Sequence, residues 1–460
     1  MGKQPHVLVV PYPAQGHVMP LMKMSQRLAD AGVKVTFVNT EFIHAQIMAA
    51  ASTEKCEEKS GSGIHLVSVP DGLEPGDYKK DPLKLMETIP RVMPCHLEDL
   101  IRKMQQSVED HDHITCIIAD ITVWWALEMA EKLGIKRAAF WPAAVGVLTL
   151  ILHIPKLVEA GIINSNGTPT RNEMIQLSPS MPTKSTAEFL WNFPHDPIIQ
   201  KFIFAETFMA NQAIKVSNWV FSNSFYDLDP YISDLIPNLI PIGPLLESNC
   251  PGQPAGSFWQ EDLTCLSWLD KQPRCSVIYV AFGSTTIFNQ HQFDELALGL
   301  ELVGRPFLWV VRSNLIDGST IVYPNGFRDR IAHHGEMVKW APQQKVLAHP
   351  SIACFLTHCG WNSTMDGLCM GVPFICWPYF TDQFHNRSCI CDVWNVGLGL
   401  NPDEDGTISR HEIQNKVEKL LCDEGIRLNS LRLKETARKC VSEGGSSWKN
   451  FEGFIEQIKC

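Results

Sequence analysis

The sequence of 460 residues contains none of the short motifs that mark several common nucleotide-binding and hydrolytic sites. It has no Gly-x-Gly-x-x-Gly dinucleotide fingerprint and no Gly-Lys-Ser/Thr phosphate loop. It also has no Gly-x-Ser-x-Gly nucleophile elbow. These absences argue against a P-loop nucleotidase and against a serine hydrolase.

The sequence also has fewer basic than acidic residues and few long apolar runs. Lys and Arg number 39 against 50 Asp and Glu, which gives a net charge of -11. This balance is a poor match to nucleic acid or to an anionic membrane surface. The most apolar stretch, 138–152, contains Pro142 and is shorter than the ~20 residues of a membrane-spanning helix. We therefore expect a buried helix there, no nucleic-acid partner and no membrane insertion.

Cysteine usage and the N-terminus predict the compartment. The sequence has 15 Cys, an odd number, scattered mostly through apolar runs, as is typical of buried free thiols rather than of a disulfide framework. The chain enters an apolar run at residue 6 without the pattern of a signal peptide. We expect a cytoplasmic protein, because free thiols persist in reducing compartments.

Short apolar runs alternate with helical patterns along the chain. The predicted strands are 6–11, 33–39, 64–69, 114–119, 137–140 and 219–222, then 276–282, 306–311, 337–340, 353–357 and 373–376. Val and Ile on both faces of such strands predict parallel sheets covered by helices. A turn-rich segment at 241–256 separates the two sets and predicts a linker. We expect two facing, doubly wound α/β domains that bind ligands at their carboxyl strand ends, in the cleft between them.

The first chemical candidates lie at two strand ends of the N-terminal half. His17 follows the first predicted strand and precedes Pro20 at the start of a helical pattern, with Gly16 permitting a tight turn. A helix N-terminus disfavours the imidazolium, so His17 suits a general base near neutral pH. Asp120 ends another strand, where it could stabilise the charged imidazole. The same two residues also fit two local caps, and spacing alone leaves both interpretations open.

The second set of candidates lies between residues 340 and 383. The order is strand, glycine turn and helix, which leaves backbone N–H groups able to cradle an anion. Trp340 offers a flat face on which a base can stack, and Asp366 can accept ribose hydroxyls. The remaining candidates, which suit phosphate or sugar hydroxyls, are His358, Asn362, Ser363, Asp382 and Gln383. A buried core with helix caps would explain any one of them, but the ordered set favours a nucleotide-sugar site.

This stretch resembles the signature box of the plant UDP-dependent glycosyltransferases (glycosyltransferase family 1, GT-B fold). The resemblance extends along the chain through Pro-Ala-Gln-Gly-His at 13–17, Ile-Ala-Asp at 118–120, Phe-Trp-Pro at 140–142, Asn-Ser-Phe at 223–225, Pro-Ile-Gly-Pro at 241–244, Cys-Leu-Ser-Trp-Leu-Asp at 265–270 and Tyr-Val-Ala-Phe-Gly-Ser at 279–284. It implies a GT-B protein with an acceptor-binding Rossmann-like domain at 1–245 and a linker at 246–257. A UDP-sugar-binding Rossmann-like domain at 258–446 and a C-terminal helix at 447–460, packing back on the first domain, complete the implied architecture.

The resemblance implies an inverting, metal-independent transferase that moves a sugar, glucose first among the candidates, from a UDP-sugar to a small lipophilic acceptor such as a phenolic, flavonoid or terpenoid. His17 matches the general base and Asp120 its partner. Trp340 matches the residue that stacks on uracil, Ala341 supplies backbone contacts to the base, and Gln343 contacts the ribose. UDP-glucose is then a co-substrate, and no cofactor is expected.

The resemblance also implies the phosphate and sugar contacts. Those to the diphosphate are Ser284, His358, Asn362 and Ser363, and those to the sugar are Trp361, Asp382 and Gln383. Two positions depart from the family: Asp366 stands where Glu is usual at the ribose, and Pro142 stands where Thr or Ser often touches the sugar. The acceptor is expected against Trp124, Trp141 and Pro142.

Other interpretations remain as alternatives. Three Asp-x-Asp patterns, at 110–112, 227–229 and 403–405, match a metal-binding motif, but an acidic chain yields such matches by chance, so no metal site is expected. A catalytically weak UDP-sugar-binding protein is the main rival. An NAD(P)-dependent oxidoreductase is a more distant one, since doubly wound sheets alone do not decide function. We expect a monomer.

Overall fold

The computed structural model describes residues 4–51, 63–74, 82–107, 112–193, 196–246, 258–316 and 321–459. The chain divides into two compact units. The first unit comprises Met1–Ser178, Thr183–Gln260 and Cys440–Cys460, and the second comprises Pro179–Pro182 and Glu261–Lys439. Of the predicted linker 246–257, residues 247–257 lie outside the described residues.

The first unit is built on a parallel sheet of seven strands in the order β3-β2-β1-β4-β5-β8-β9. Its strands are β1 (His6–Val10), β2 (Lys34–Thr40), β3 (Ile64–Val69), β4 (Cys116–Asp120), β5 (Lys136–Trp141), β8 (Trp219–Ser222) and β9 (Leu239–Pro241). A separate antiparallel pair is formed by β6 (Met174–Ile175) and β7 (Lys184–Ser185). The α-helices are Gln15–Asp30, Glu41–Ala51, Pro82–Gln105, Trp124–Lys132, Val145–Leu152, Ile154–Glu159, Pro197–Val216, Ile232–Leu235 and Ser446–Lys459.

The central strands explain why the sheet is covered on both faces. Every residue of β1 and of β4 is buried, as expected for parallel strands with helices on either side. In the β1–β4 ladder, Val10 pairs with Ala119. The carboxyl ends of these two strands are therefore neighbours, which brings the residues that follow β1 close to Asp120.

The C-terminal helix Ser446–Lys459 packs on the first unit through aromatic residues. The Phe454 ring lies 5.1 Å from Trp219 and 4.8 Å from Phe221, both in edge contact. The guanidinium of Arg27 stacks 4.1 Å from the ring centroid of Phe451. These contacts attach the end of the chain to β8 and to the first helix.

The second unit has a parallel sheet of six strands in the order β12-β11-β10-β13-β14-β15. Its strands are β10 (Val277–Ala281), β11 (Phe307–Val310), β12 (Gly335–Val338), β13 (Ile352–Thr357), β14 (Phe374–Cys376) and β15 (Gly397–Gly399). Its α-helices are Thr264–Leu269, Gln290–Val303, Phe327–Ile331, Gln343–Ala348, Trp361–Met370, Gln383–Ser388, Arg410–Cys422 and Glu424–Val441. The last of these ends in the first unit.

The structure confirms the two parallel α/β sheets and corrects several details. Strand β12 ends at Val338, two residues before the predicted end, and β9 and β15 were not predicted. Pro241, expected in the linker, is instead the last residue of β9, an edge strand, where a proline is tolerated. The apolar stretch 138–152 is the end of β5 followed by a buried helix, Val145–Leu152. Within the described ranges, no helix combines the length and the apolar character needed to cross a bilayer.

Candidate functional site

His17 and Asp120 form a hydrogen-bonded pair at the carboxyl ends of β1 and β4. His17 Nδ1 lies 2.7 Å from Asp120 Oδ2, and the Asp120 carboxylate is completely buried. Because a carboxylate only accepts, Nδ1 carries the shared proton, and Nε2 is then the basic nitrogen of the neutral ring. The His17 side chain is 27% exposed, so it remains partly accessible. This pairing fixes both the tautomer and the orientation of the imidazole.

The second carboxylate oxygen of Asp120 caps the next helical turn. Asp120 Oδ1 accepts hydrogen bonds from the backbone N–H of Thr122 at 2.9 Å and from its hydroxyl at 2.6 Å. The structure confirms the local cap at Oδ1, while the role of Oδ2 as a partner of a catalytic His17 stays a prediction. The cap makes Asp120 a rigid support for His17.

His17 is the third residue of the helix Gln15–Asp30. Its backbone N–H donates to the carbonyl of Ala14, the residue before the helix, at 2.9 Å. Gly16 lies within the helix and its φ is not positive, so it does not form the tight turn that was expected. Pro20 lies in the second helical turn rather than the first. The expected position of His17 at a helix N-terminus nevertheless holds.

Tyr12 lies next to this pair, and Glu206 lies close enough to Tyr12 to affect its pKa. The ring of Tyr12 lies 5.2 Å from that of His17. Burial, followed by the charges of Asp120 and Glu206, raises the pKa of Tyr12, which keeps the phenol neutral. Glu206 accepts a hydrogen bond from the indole nitrogen of Trp124 at 3.0 Å, and burial raises the pKa of its carboxyl. Sequence reasoning missed Glu206, which lies within the helix Pro197–Val216.

Of the three residues expected at the acceptor, Trp141 and Pro142 are buried and Trp124 is half-buried. Trp141 donates its indole N–H to the carbonyl of Ala144 at 2.8 Å. Its polar group is therefore satisfied within the chain, and only its ring is available for apolar contact. These residues remain predicted acceptor contacts.

His358 follows β13 in the second unit and packs against two glycines. A Cβ placed on Gly283 or on Gly360 would lie 2.5 Å from His358 Nε2, so no larger residue fits at either position without a shift. Gly283 also has φ +62°, which glycine adopts without strain. Burial, then the charge of Arg312, lowers the pKa of His358 to about 4. His358 is therefore a neutral hydrogen-bonding group near neutral pH.

The helix Trp361–Met370 begins three residues after this histidine. Cys359 precedes it with φ +65°, and Thr381 precedes Asp382 with φ +54°. Positive φ is sparsely populated by residues other than glycine and indicates strain held by the surroundings. Asn386, which is fully buried, connects the two turns by donating to the carbonyl of Cys359 and to Asp382 Oδ2, each at 2.8 Å. The turns before two helices that carry predicted phosphate and sugar residues are therefore linked by one side-chain amide.

A network of amides and one carboxylate occupies the expected ribose position. Gln343 Nε2 donates to Asp366 Oδ2 at 2.9 Å and to Ser363 Oγ at 3.1 Å. Gln344 Nε2 donates to Asp366 Oδ1 at 2.5 Å. Asp366 is buried, and each of its oxygens accepts from a glutamine. Asp366 thus orients Gln343, and Gln344 is a second partner that sequence reasoning missed.

The remaining predicted residues lie at neighbouring strand ends. Trp340 is half-buried, two residues after β12, and its carbonyl accepts from the N–H of Asp262 at 2.9 Å. Ala341 is buried. Gln383 Oε1 accepts from the N–H groups of Tyr379 at 2.8 Å and Phe380 at 3.1 Å. Trp361 is buried, with its ring 6.3 Å from that of Trp394. The part of the chain that is described holds no cluster of three or more His, Cys, Asp or Glu that could bind a metal.

Two family models match the chain. Residues 170–439 match the model described as UDP-glucoronosyl and UDP-glucosyl transferase. Residues 4–151 match the model described as Glycosyltransferase, N-terminal domain. Together these matches include His17, Asp120 and all the residues between 340 and 383.

Several plant proteins are similar to this chain over nearly their full length. UDP-glycosyltransferase 83A1 of Arabidopsis thaliana is 42% identical over 466 residues, which cover 100% of this chain and 97% of that protein. Linamarin synthase 1 of Manihot esculenta is 32% identical over 480 residues, which cover 99% of this chain and 97% of that protein.

Solved structures show the same fold. A UDP-glucosyltransferase from Polygonum tinctorium capable of glucosylating indoxyl, in complex with 3,4-dichloroaniline, gives a TM-score of 0.84 at 27% identity, covering 100% of both chains. Os79 from O. sativa in complex with UDP gives a TM-score of 0.81 at 26% identity, covering 98% of this chain and 100% of that one.

Proposed function

Because the chain belongs to the plant family 1 UDP-glycosyltransferases, enzymes of the GT-B fold that use a UDP-sugar, we propose that it transfers glucose to a hydroxyl group of a small lipophilic acceptor. The observation that carries the catalytic part of this proposal is the His17–Asp120 pair. Glucose is supported by Gln383 at the end of the signature box, the position at which glutamine tends to accompany this sugar in the family.

In the proposed reaction, Nε2 of His17 takes the proton of the acceptor hydroxyl while its oxygen attacks the anomeric carbon. The bond from that carbon to the diphosphate breaks, and UDP leaves with the electron pair. Asp120 stabilises the imidazolium because it already accepts from Nδ1 at 2.7 Å. A single displacement of this kind inverts the anomeric configuration.

The proposed leaving-group site is the start of the helix Trp361–Met370 with His358. Preorganised dipoles at such a site stabilise the charge that develops on the diphosphate. We propose that they do so without a metal ion, because these donors and the neutral His358 already supply anion-binding groups. Activity that persists in EDTA supports this part, and activity restored only by a divalent cation contradicts it.

The proposed acceptor is small and apolar because the candidate lining is apolar. Trp124, Trp141 and Pro142 precede or flank the buried helix Val145–Leu152. Burial of apolar acceptor surface supplies non-directional binding energy. A panel of phenolic, flavonoid and terpenoid alcohols, with saccharides as polar controls, tests the class: transfer confined to the saccharides contradicts it.

We also propose a cytoplasmic location, supported by the cysteines. Each of the twelve cysteines within the described residues is free, and most are buried. Free thiols in such numbers are typical of a reducing compartment. A fluorescent fusion imaged in plant cells tests the location, and light scattering during gel filtration tests the prediction of a monomer.

A further inference from the structure

Arg312 is a buried cation without a carboxylate partner among the described residues. It follows β11 and is 4% exposed. Burial alone lowers its pKa to about 10, so the guanidinium stays protonated at neutral pH. A buried charge is costly unless it is compensated. In a chain of net charge -11, the lack of a nearby carboxylate suggests that the compensating anion comes from a ligand.

The guanidinium instead holds the backbone of the loop after β10. Its Nη1 donates to the carbonyl of Ser284 at 2.8 Å, and its Nη2 donates to the carbonyl of Thr286 at 2.5 Å. Nη1 also donates to Asn314 Oδ1 at 2.9 Å. The planar fork of an arginine holds two carbonyls in a fixed relative geometry, which the rotatable ammonium of a lysine does not impose.

The N–H groups of the same loop are unused within the part of the chain that is described. The backbone N–H groups of residues 284–286 make no hydrogen bond there. The buried hydroxyl of Thr286 also has no partner there. Successive N–H groups without protein partners form an anion-binding concavity when the backbone is held in place. The loop begins at Gly283, on which His358 packs.

We propose that Arg312 is a positioning residue for the donor diphosphate: it fixes the carbonyls of Ser284 and Thr286 so that the N–H groups of this loop bind phosphate, and its charge compensates the phosphate charge through the loop. The inference rests on the proposed donor site, to which Ser284 and His358 already belong. It adds a residue that does not touch the substrate and that the sequence analysis did not identify.

The test compares UDP with uridine, which lacks phosphate, by calorimetry on the full-length protein. In Arg312→Met, UDP should bind roughly tenfold to a hundredfold more weakly, as expected for loss of charge-assisted contacts, while uridine affinity changes less than about twofold. The KM for UDP-glucose should rise in parallel and the KM for the acceptor should not. The matched control is Arg410→Met, which removes the ion pair with Glu295 in the same unit and should leave the UDP-to-uridine ratio unchanged.

Arg312→Lys retains the charge but not the planar guanidinium that bonds both the Ser284 and the Thr286 carbonyls. It should therefore show an intermediate loss of UDP affinity. It also serves as the main variant if Arg312→Met does not fold. Equal weakening of UDP and uridine, or an unchanged ratio in both variants, overturns the role of Arg312. A wild-type protein that does not prefer UDP to uridine would instead contradict the proposed donor site itself.

Discussion

His17 Nδ1 lies 2.7 Å from the completely buried Oδ2 of Asp120, although 103 residues separate them in sequence. The two meet because β1 and β4 are adjacent parallel strands with neighbouring carboxyl ends. The contact gives His17 a single tautomer with Nε2 as its basic nitrogen. Both residues belong to the first unit, whereas the proposed donor residues between 340 and 383 belong to the second.

We predict that Asp120→Asn lowers kcat by roughly 10²- to 10⁴-fold, since an amide can donate to Nδ1 and stabilise the wrong tautomer. UDP affinity should stay within about twofold of wild type. Thr122→Val is the matched control, because it removes one hydrogen bond to the other oxygen of Asp120 but leaves the contact with His17. Steady-state kinetics with calorimetry of UDP measures both effects. Near-wild-type turnover in Asp120→Asn would show that Asp120 only caps its turn.

We predict that Trp340→Ala weakens UDP binding by roughly tenfold to a hundredfold, the usual effect of losing one base–aromatic stack. Trp340→Phe keeps a flat ring and should retain most of the affinity. Because stacking concerns the base, uridine should lose as much affinity as UDP. This distinguishes Trp340 from Arg312, whose loss should affect UDP alone. Equal UDP affinities for Trp340→Ala and wild type would refute the stacking assignment.

Asp366 is expected to act on the ribose both directly and through Gln343. Its two oxygens hold Gln343 and Gln344 at 2.9 and 2.5 Å. Asp366→Ala should therefore lower the affinity for UDP by about tenfold and lower the affinity for 2′-deoxy-UDP less. Gln344→Met, which removes one partner of the carboxylate, should have a smaller effect. An unchanged preference for UDP over 2′-deoxy-UDP in Asp366→Ala would place the ribose elsewhere.

The stability of the second unit should fall in mildly acidic solution because of His358. Burial and the charge of Arg312 lower its pKa from 6.5 to about 4 in the folded state, so the unfolded chain binds the proton more tightly. The neutral imidazole of His358 therefore contributes at most roughly 3 kcal/mol to the free energy of unfolding. This contribution is complete above pH 6.5 and is lost as the pH falls towards 4. Burial also lowers the pKa of His6 to about 4. His6 should therefore reduce the stability of the first unit over the same pH range.

Thermal unfolding between pH 7 and 4 measures this dependence. His358→Gln should be less stable than wild type at pH 7, but its Tm should fall less steeply as the pH decreases. His349→Gln is a control, since that histidine is near the surface and bonded to Asp270. Parallel slopes for wild type and His358→Gln would contradict the assignment of the buried neutral imidazole.

Much of the fold was predictable, because parallel strands are dense in Val, Ile and Phe. The strand 64–69 and the strand 219–222 are observed with the predicted bounds. The edge strands β9 and β15 were missed because they have only three residues each. Strand β9 also contains Pro241 and β15 contains two glycines, and both residue types are more typical of turns than of strands. Short edge pairing depends on the neighbouring strand rather than on local sequence.

The site residues that belong to a contiguous sequence motif were predictable. The supporting residues that reach the site from distant parts of the sequence were harder to predict. Asn386 and Gln344 support predicted residues from positions that look like ordinary helix surface. Arg312 had one visible signal, a lone charge after the five apolar residues 307–311. Its two carbonyl partners lie 28 and 26 residues earlier, and no local pattern indicates such contacts.

The most direct test of the central claim is a transfer assay followed by mass spectrometry. Purified protein, UDP-glucose, EDTA and a panel of phenolic and terpenoid alcohols are incubated beside a His17→Ala control. The account predicts a product heavier by one hexose, with inverted anomeric configuration by NMR, and at least roughly 10²-fold less of it with His17→Ala. Equal product from the His17→Ala protein, or none from wild type across broad acceptor and UDP-sugar panels despite UDP-glucose binding, would contradict it.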